Sequence, residues 1–391
     1  METIDKLIEA HSGKFGPSGK LRVFACPGRI NLIGEHIDYN GGHVLPAAVD
    51  KSIYLVITPN DRKSFRFFST AFGNVNEISI NDLYKTSPAN NNWWIYPAGV
   101  IRTLAEDEWP LEHGYDMSFA STIPVGSGMS SSAALTEVVV FALSTLLKIH
   151  LTLPHMAALG QRIETEFAGV SCGIMDQFAV VTGKRNCAVM LNTKNLEYEY
   201  VKVDSNVVHW ILVNSMVKHS LKDSGYNERR SDCETSVEKL NKCGFNRKYI
   251  CDFTMEEFEK NKEVLIEREQ KRVYHAITEE SRTVQFEKLM KRGDYESAGK
   301  LLTGSHESLR DNYEVSIPEL DKMVEWAMSI EGVLGSRMMG GGFGGCTINM
   351  VKKENVSAFK EIISDKFRKE FRKETEIYDC VIGDGVREII L

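Results

Sequence analysis

The stretch PVGSGMSSSAAL, Pro124 to Leu135, sets two glycines and four serines directly before a long apolar run. Glycine removes the Cβ that would block close backbone approach, and serine adds only a small hydroxyl, so successive amides can converge on an anion. The run that follows predicts a helix over Ser132 to Lys148, apolar on most faces and therefore buried on a sheet. Its unsatisfied first amides and its dipole point back into the loop. Phosphate is the natural guest. The stretch lacks a Gly-Lys-Ser/Thr ending, however, so it is not the loop whose lysine reaches the outer phosphates of a nucleotide. That charge must come from elsewhere in the chain.

β-rich segments precede the loop: Leu21 to Ala25, Ser52 to Pro59, Arg66 to Thr70 and Asp116 to Ser121. A second helix follows it, His155 to Ala168, with Met156, Leu159, Ile163 and Phe167 at three- and four-residue steps and Gly169 as its stop. Composition shifts after about Asn206. A short strand, Trp210 to Asn214, leads into charged helical sequence, above all Glu256 to Arg292. Strand-like segments at Thr347 to Val351 and Tyr378 to Ile382 come last, the final one free to return and pack elsewhere. The pattern is α+β and predicts two domains, 1–205 and 206–391.

Composition narrows the function. With 391 residues, 42% hydrophobic and 26% charged, the chain falls in the globular range. Its first residues, METIDKLIEAHSGKFG, contain acids and no apolar core of signal-peptide length, and the apolar run Ala133 to Leu147 is too short for a bilayer and carries Thr136, Glu137 and Ser144. A soluble cytoplasmic protein without membrane contact is expected, and a monomer is the simplest assembly. Eight cysteines never fall at two-residue spacing, which predicts free thiols over a metal site. A net charge of −7 without a Lys/Arg stripe argues against a nucleic-acid partner. An anionic substrate must be met by local cations.

Three further stretches carry chemistry. PGRINLIGEHIDYNGG (Pro27 to Gly42) gathers Arg29, Glu35, His36 and Asp38; ETEFAGVSCGIMDQF holds Glu164 on the second helix and Asp176 after a Cys-Gly turn; RMMGGGFGGCTI places five glycines between Met339 and Cys346. Each has a plainer reading. A Gly/Ser loop is more often a turn than an anion site, Asp176 could cap a helix starting at Gln177, Glu164 could be the solvated side of its helix with Glu166 equally available, and His36 could be a satisfied structural imidazole. Two counts tell against these readings: three ionisable groups stand in four residues at 35–38, and five glycines exceed what one turn needs.

Taken together the stretches resemble the galactokinases of the GHMP kinase superfamily over nearly the full length. GRINLIGEHIDYN resembles the galactokinase signature, PVGSGMSSSAA the superfamily phosphate loop, CGIMDQF the block with the catalytic aspartate, SGYNERRSDCE a later sugar-site segment and GGGFGGC the third superfamily motif. The resemblance implies a ribosomal-protein-S5-like N-terminal domain and a ferredoxin-like C-terminal domain with the site between them. It implies transfer of the γ-phosphoryl of ATP to the anomeric hydroxyl of galactose, with Mg²⁺.

On residues, it implies Asp176 as the group that accepts or orients the sugar's C1 proton, and Arg29 beside it as the cation a Walker lysine gives elsewhere. Ser132 and Glu164 match the metal positions. Gly126, Ser127, Gly128, Met129, Ser130, Ser131 and Ser132 form the phosphate loop, while Trp93 and Tyr96, in NNWWIYPAG, fall where adenine lies in relatives. Glu35, His36, Asp38, Gly173, Asp176 and Tyr226 match the sugar site.

Ile37 and Met339 stand where threonine is usual in the family. Ile37 occurs in relatives that phosphorylate N-acetylgalactosamine, so a galacto-configured sugar with a larger C2 group is one alternative. A sugar- and ATP-binding sensor is another, but such relatives alter the serine loop, and here Ser130 to Ala134 are all present.

Overall fold

The computed structural model describes residues 2–16, 20–79, 82, 92–167, 169, 172–217 and 225–391; Asn91, Ala168, Val170, Ser171 and Ser224 of the segments above lie outside the described residues. The first half runs α1 (Glu2–Phe15), β1 (Arg22–Asn31), β2 (His43–Val44), β3 (Pro46–Asn60), β4 (Ser64–Ser69), β5 (Val75–Ser79), α2 (Ile95–Glu106), β6 (Gly114–Ser121), α3 (Ser131–Leu146), α4 (Leu153–Glu166), α5 (Met175–Thr182), β7 (Cys187–Asn192) and β8 (Tyr198–Lys202). The second runs β9 (Val208–Asn214), α6 (Tyr226–Asn241), α7 (Met255–Asn261), α8 (Glu267–Arg292), α9 (Tyr295–Ser308), α10 (Pro318–Met328), β10 (Val333–Met339), β11 (Cys346–Lys352), α11 (Val356–Phe371), β12 (Ile377–Cys380) and β13 (Arg387–Ile389).

After Arg22 every residue of β1 is buried, as expected of a strand covered on both faces. The period of two divides its side chains. Val23 joins Leu7 of α1 and Val56 of β3 in one cluster, whereas Phe24, Cys26 and Ile30 join Leu55 and the Val138–Val140 run of α3 in the main core. The sheet around it has six strands in the order β13-β1-β3-β6-β4-β5. Helix α3 is buried along most of its length, which explains its lack of a polar face.

In the second half the sheet order is β10-β11-β9-β12 with every neighbouring pair antiparallel. Chain order β9, helices, β10, β11, α11, β12 makes this a βαββαβ arrangement, a ferredoxin-like sheet. Among the described residues no helix is long and apolar enough to cross a membrane, and the eight cysteines stand free.

Two expectations need correction. The charged stretch Glu256 to Arg292 is not one helix: α7 ends at Asn261, a 3₁₀ turn covers Lys262–Val264, and α8 starts at Glu267. The break is stabilised by side chains, since Glu269 Oε2 accepts the Ile266 amide at 3.0 Å and so caps the new helix from its third position. Nor is Tyr378 to Ile382 the strand that returns. β12 edges the second sheet beside β9, Ile382 makes only an isolated bridge to Val49, and β13 crosses back to pair with β1, anchored by Arg22 Nε and Nη2 on Glu388 at 2.6 and 2.5 Å.

Close helix–strand packing in the second half generates a test. A Cβ on Gly299 of α9 would lie 2.0 Å from the Leu334 carbonyl oxygen, whereas at Gly304, five residues on, the nearest atom is the flexible Arg282 Cδ at 3.9 Å. Gly299→Ala should lose about 1–3 kcal/mol in urea denaturation through overpacking. Gly304→Ala should hold or gain up to about 1 kcal/mol from helix propensity.

Candidate active site

β1 and β3 slip register between Pro27 and Arg29, the local kink of a β-bulge. Gly28 stands there because a Cβ would lie 2.7 Å from the Met129 carbonyl oxygen, and the Arg29 amide donates to that same oxygen at 3.1 Å. The glycine–serine loop is thereby stitched to the strand. Arg29 is 5% exposed; its Nε donates to Asp176 Oδ1 at 2.8 Å and its Nη1 to the Gly128 carbonyl. Asp176 Oδ2 accepts from the Ser130 hydroxyl. One carboxylate thus joins β1, the loop and α5, where it occupies the first turn. The helix begins at Met175, not Gln177, so Asp176 is not a cap.

Within the loop, Gly126, Gly128 and Ser130 all take positive φ (74°, 70° and 54°). For a serine this costs energy, and such strain persists only where surroundings fix it; here the bond to Asp176 does so. Ser127 and Met129 point inward, each 1% exposed, and the Ser127 hydroxyl donates to the Pro124 carbonyl at 2.8 Å. What these two can offer a ligand is backbone. Helix α3 begins at Ser131, in the lining of the cleft, and its first amides have no side-chain cap.

Glu164 is 2% exposed on the inner face of α4, which rejects the solvated reading; Glu166 is the exposed one. Gln177 Nε2 donates to Glu164 Oε1 at 2.8 Å. Burial pushes the Glu164 carboxyl up to about 7, opposed by the hydrogen bonds of Gln177 and Ser132 and reinforced by Asp176.

Residues 34–38 form an irregular turn whose Glu35, His36 and Asp38 line the same cleft. His36 adopts φ 62° and meets the Tyr39 hydroxyl through Nδ1 at 2.8 Å. Burial lowers its pKa to about 3, so the ring is neutral. Asp38 lies against Gly173, where a Cβ would sit 1.8 Å from Asp38 Oδ2; only glycine fits. Burial, then Asp176 and Glu35, push the Asp38 carboxyl up to about 7 against the amides of Tyr39 and Met175. Tyr226, first residue of α6, sets its ring centroid 5.5 Å from those of His36 and Tyr39.

From the second half, Gly340 donates its amide to Glu35 Oε1 at 2.8 Å and Arg337 Nη1 donates to the same oxygen at 3.0 Å. Arg337 is fully buried on β10 and reaches the Leu32 carbonyl through Nε at 3.0 Å. Sequence reasoning missed it. An arginine inside an apolar strand was the available signal, because a fully buried guanidinium always has partners.

A cleft of about 370 Å³ brings together Arg29, Glu35, His36, Asp38, Gly126 to Ser132, Glu164, Gly173, Asp176, Tyr226 and the glycines of the 340–345 run, along with the unanticipated Cys172, Gln177 and Asn227. Trp93 and Tyr96 do not line it. Trp93 stacks on Phe72 with ring planes 4° apart, and Tyr96, on α2, lies close enough to Glu164 to feel its charge. Ile37 is fully buried, packed over Gly42, and faces no ligand space in this cleft.

Three family signatures match the chain: the galactokinase galactose-binding signature over residues 9–59, the GHMP kinase N-terminal domain over 96–184 and the GHMP kinase C-terminal domain over 286–369. A galactokinase of Fusobacterium nucleatum is 40% identical over 99% of this chain and 100% of its own. One of Bacillus subtilis is 36% identical over 96% of each. The crystal structure of Lactococcus lactis galactokinase complexed with galactose superposes with a TM-score of 0.94 at 33% identity, covering 99% and 100% of the two chains. Methanococcus jannaschii mevalonate kinase, 19% identical with a TM-score of 0.65, shares the fold.

The raised Asp38 carboxyl predicts a pH signature. A carboxyl ordinarily near 3.8 and held at about 7 in the fold opposes folding increasingly across that window, because the unfolded chain releases the proton first. Asp38→Asn removes this term, so from pH 4 to pH 7 the variant should gain stability relative to the parent. Urea denaturation should show a relative gain of about 1 kcal/mol or more.

Proposed function

The chain belongs to the galactokinase family of the GHMP kinases, and from that premise we infer that it transfers the γ-phosphoryl of ATP to the anomeric hydroxyl of galactose, giving galactose 1-phosphate and ADP. The observation that carries the reading is the Asp176 carboxylate, held by Arg29 on one oxygen and Ser130 on the other, between a loop rich in free amides and a turn rich in hydroxyl-binding groups. In-line phosphoryl transfer asks mainly for positioning and for cations where negative charge spreads. Asp176 accepts the C1 hydroxyl proton or orients that hydroxyl, and Arg29 stands beside both it and the incoming phosphate. Amides from Gly126 to Ser131 and the start of α3 cradle the phosphates, which answers the absence of a Walker lysine.

For the sugar, Glu35 commits one oxygen to Arg337 and Gly340 and keeps the other for a hydroxyl. His36, Asp38, the Gly173 backbone and Tyr226 complete the set. A fixed array of this kind rejects the C4 epimer because the wrong hydroxyl leaves buried groups unpaired. With Ile37 turned away from the cleft, nothing in the site favours a larger C2 group, and the serine loop is intact against a sensor role.

Ser132 and Glu164 suit Mg²⁺: both offer hard oxygen, and they stand close enough for the hydroxyl to bond the carboxylate. Among the described residues no three His, Cys, Asp or Glu side chains gather as a metal cluster, in keeping with an ion shared with substrate phosphates. Bound Mg²⁺ supplies neutralisation of the outer phosphates. Only the family resemblance supports Trp93 and Tyr96 as the adenine side, since both lie outside the lining of this cleft; the free thiols suit a reducing cytoplasm.

Purified protein should consume ATP with galactose and yield a single sugar 1-phosphate by ³¹P NMR, with glucose and mannose slower by at least about a hundredfold. Preference for N-acetylgalactosamine or galacturonate would replace the substrate, and no turnover with any sugar would sink the reading. Glu164→Gln and Ser132→Ala should each raise the Mg²⁺ concentration for half-maximal rate at least about tenfold. Unchanged magnesium titrations would remove both from the metal site.

A further inference from the structure

The turn that carries Glu35 and His36 is irregular, buried and strained: Gly34 has φ 99° and His36 φ 62°, and its polar backbone must find partners away from water. Those partners come from α8, in the other half of the chain. His275, Glu279 and Thr283 follow one another at four-residue steps and so share a face of that helix. Glu279 Oε1 accepts the amides of Gly34 at 3.1 Å and Glu35 at 3.3 Å. His275 Nε2 meets the Glu35 carbonyl at 3.1 Å and Nδ1 meets the Ser308 hydroxyl at 2.9 Å; the carbonyl can only accept, so Nε2 carries the proton. Thr283 Oγ1 would touch a Cβ at Gly34 at 3.3 Å. Glu280, next on the helix, accepts the amide of His43, the first residue of β2, at 2.6 Å.

Glu279 is itself held on every side. It is fully buried, Ser305 Oγ donates to Oε1 at 2.7 Å, and Arg282 Nε donates to Oε2 at 2.8 Å. Burial alone would raise its pKa, but Arg282, His275 and Ser305 overcome it and hold the carboxyl down at about 2. The group stays an anion, which makes its two backbone bonds charge-assisted and strong.

We propose that Glu279 is a positioning residue for the sugar site: its carboxylate fixes the Gly34 and Glu35 amides, holds the strained backbone of His36 and thereby aims the Glu35 and His36 side chains into the cleft. The proposal rests on the reading that this cleft binds galactose. It makes the second half of the chain a determinant of sugar affinity through a residue that does not line the cleft.

Glu279→Gln keeps the size of the side chain and removes the charge. The expected result is a galactose KM and an equilibrium galactose Kd raised by at least about tenfold, the range for losing charge-assisted bonds. ATP KM should stay within about twofold, and discrimination against glucose should fall. An unchanged galactose KM overturns the proposal, as does a uniform loss of all parameters that follows the folded fraction. If the variant gives no folded protein, hydrogen exchange on the unmodified chain decides. Peptides spanning Gly34 and Glu35 should exchange as slowly as the core of α8 and more slowly still with galactose, and fast exchange there refutes the assignment. Parent protein run alongside separates the two claims: an inactive parent rejects the galactokinase reading, while an active parent matched by the variant rejects only the role of Glu279.

Discussion

One carboxylate, shared between a cation and a hydroxyl, organises this molecule. Asp176 receives Arg29 from β1 on one oxygen and Ser130 from the loop before α3 on the other. Three segments far apart in sequence are locked in one geometry by that arrangement. The bulge at Gly28, the left-handed Ser130 and the placement of Asp176 in the first turn of α5 are all consequences of bringing those partners within bonding distance. Because the chain's net charge is −7, its overall field repels a nucleotide, and the local cation must supply what the field does not.

The same cleft crowds acids together. Burial, reinforced by the Asp176 charge, raises Asp38 and Glu164 to about 7; burial and Glu164 likewise push the Glu137 carboxyl of α3 well above its ordinary value, and neither of its oxygens finds a hydrogen-bond partner among the described residues. Such a cluster is costly without ligands, because each group resists ionisation beside the others. A ligand that pairs with these carboxylates would relieve that cost, which couples binding in the cleft to the ionisation of the site. Pre-organised strain and crowded charge are commonly found together where a fold is built for binding.

Much of the fold was legible in sequence. Helices α3 and α4 fall within two residues of their expected ends, since an apolar run and a Gly stop are local signals. β1 extends to Asn31, past the expected Ala25, because Pro27 and Gly28 read as a loop while in fact forming a bulge in a continuing strand. The split between α7 and α8 escaped notice in a stretch rich in charge: the Thr254–Glu257 capping box marks only the start of α7, and α8 is capped by Glu269 on an isoleucine amide, which no N-cap side chain announces. β13 has only three residues and its partner lies at the other end of the chain, so no local pattern could reveal it. In the site, the side chains that line the cleft announce themselves by unusual density. Those that hold them in place do not: Glu279 sits in a helix full of acids, and nothing distinguishes it until the turn at Gly34 is seen against it.

The most direct test of the account is the chemical step itself, followed by rapid quench with saturating ATP, Mg²⁺ and galactose in the Asp176→Asn variant. That variant keeps the shape of the latch but loses its charge and its capacity to take a proton. The account predicts a phosphoryl-transfer rate at least about a hundredfold below the parent, with galactose still bound. A rate equal to the parent's would contradict it.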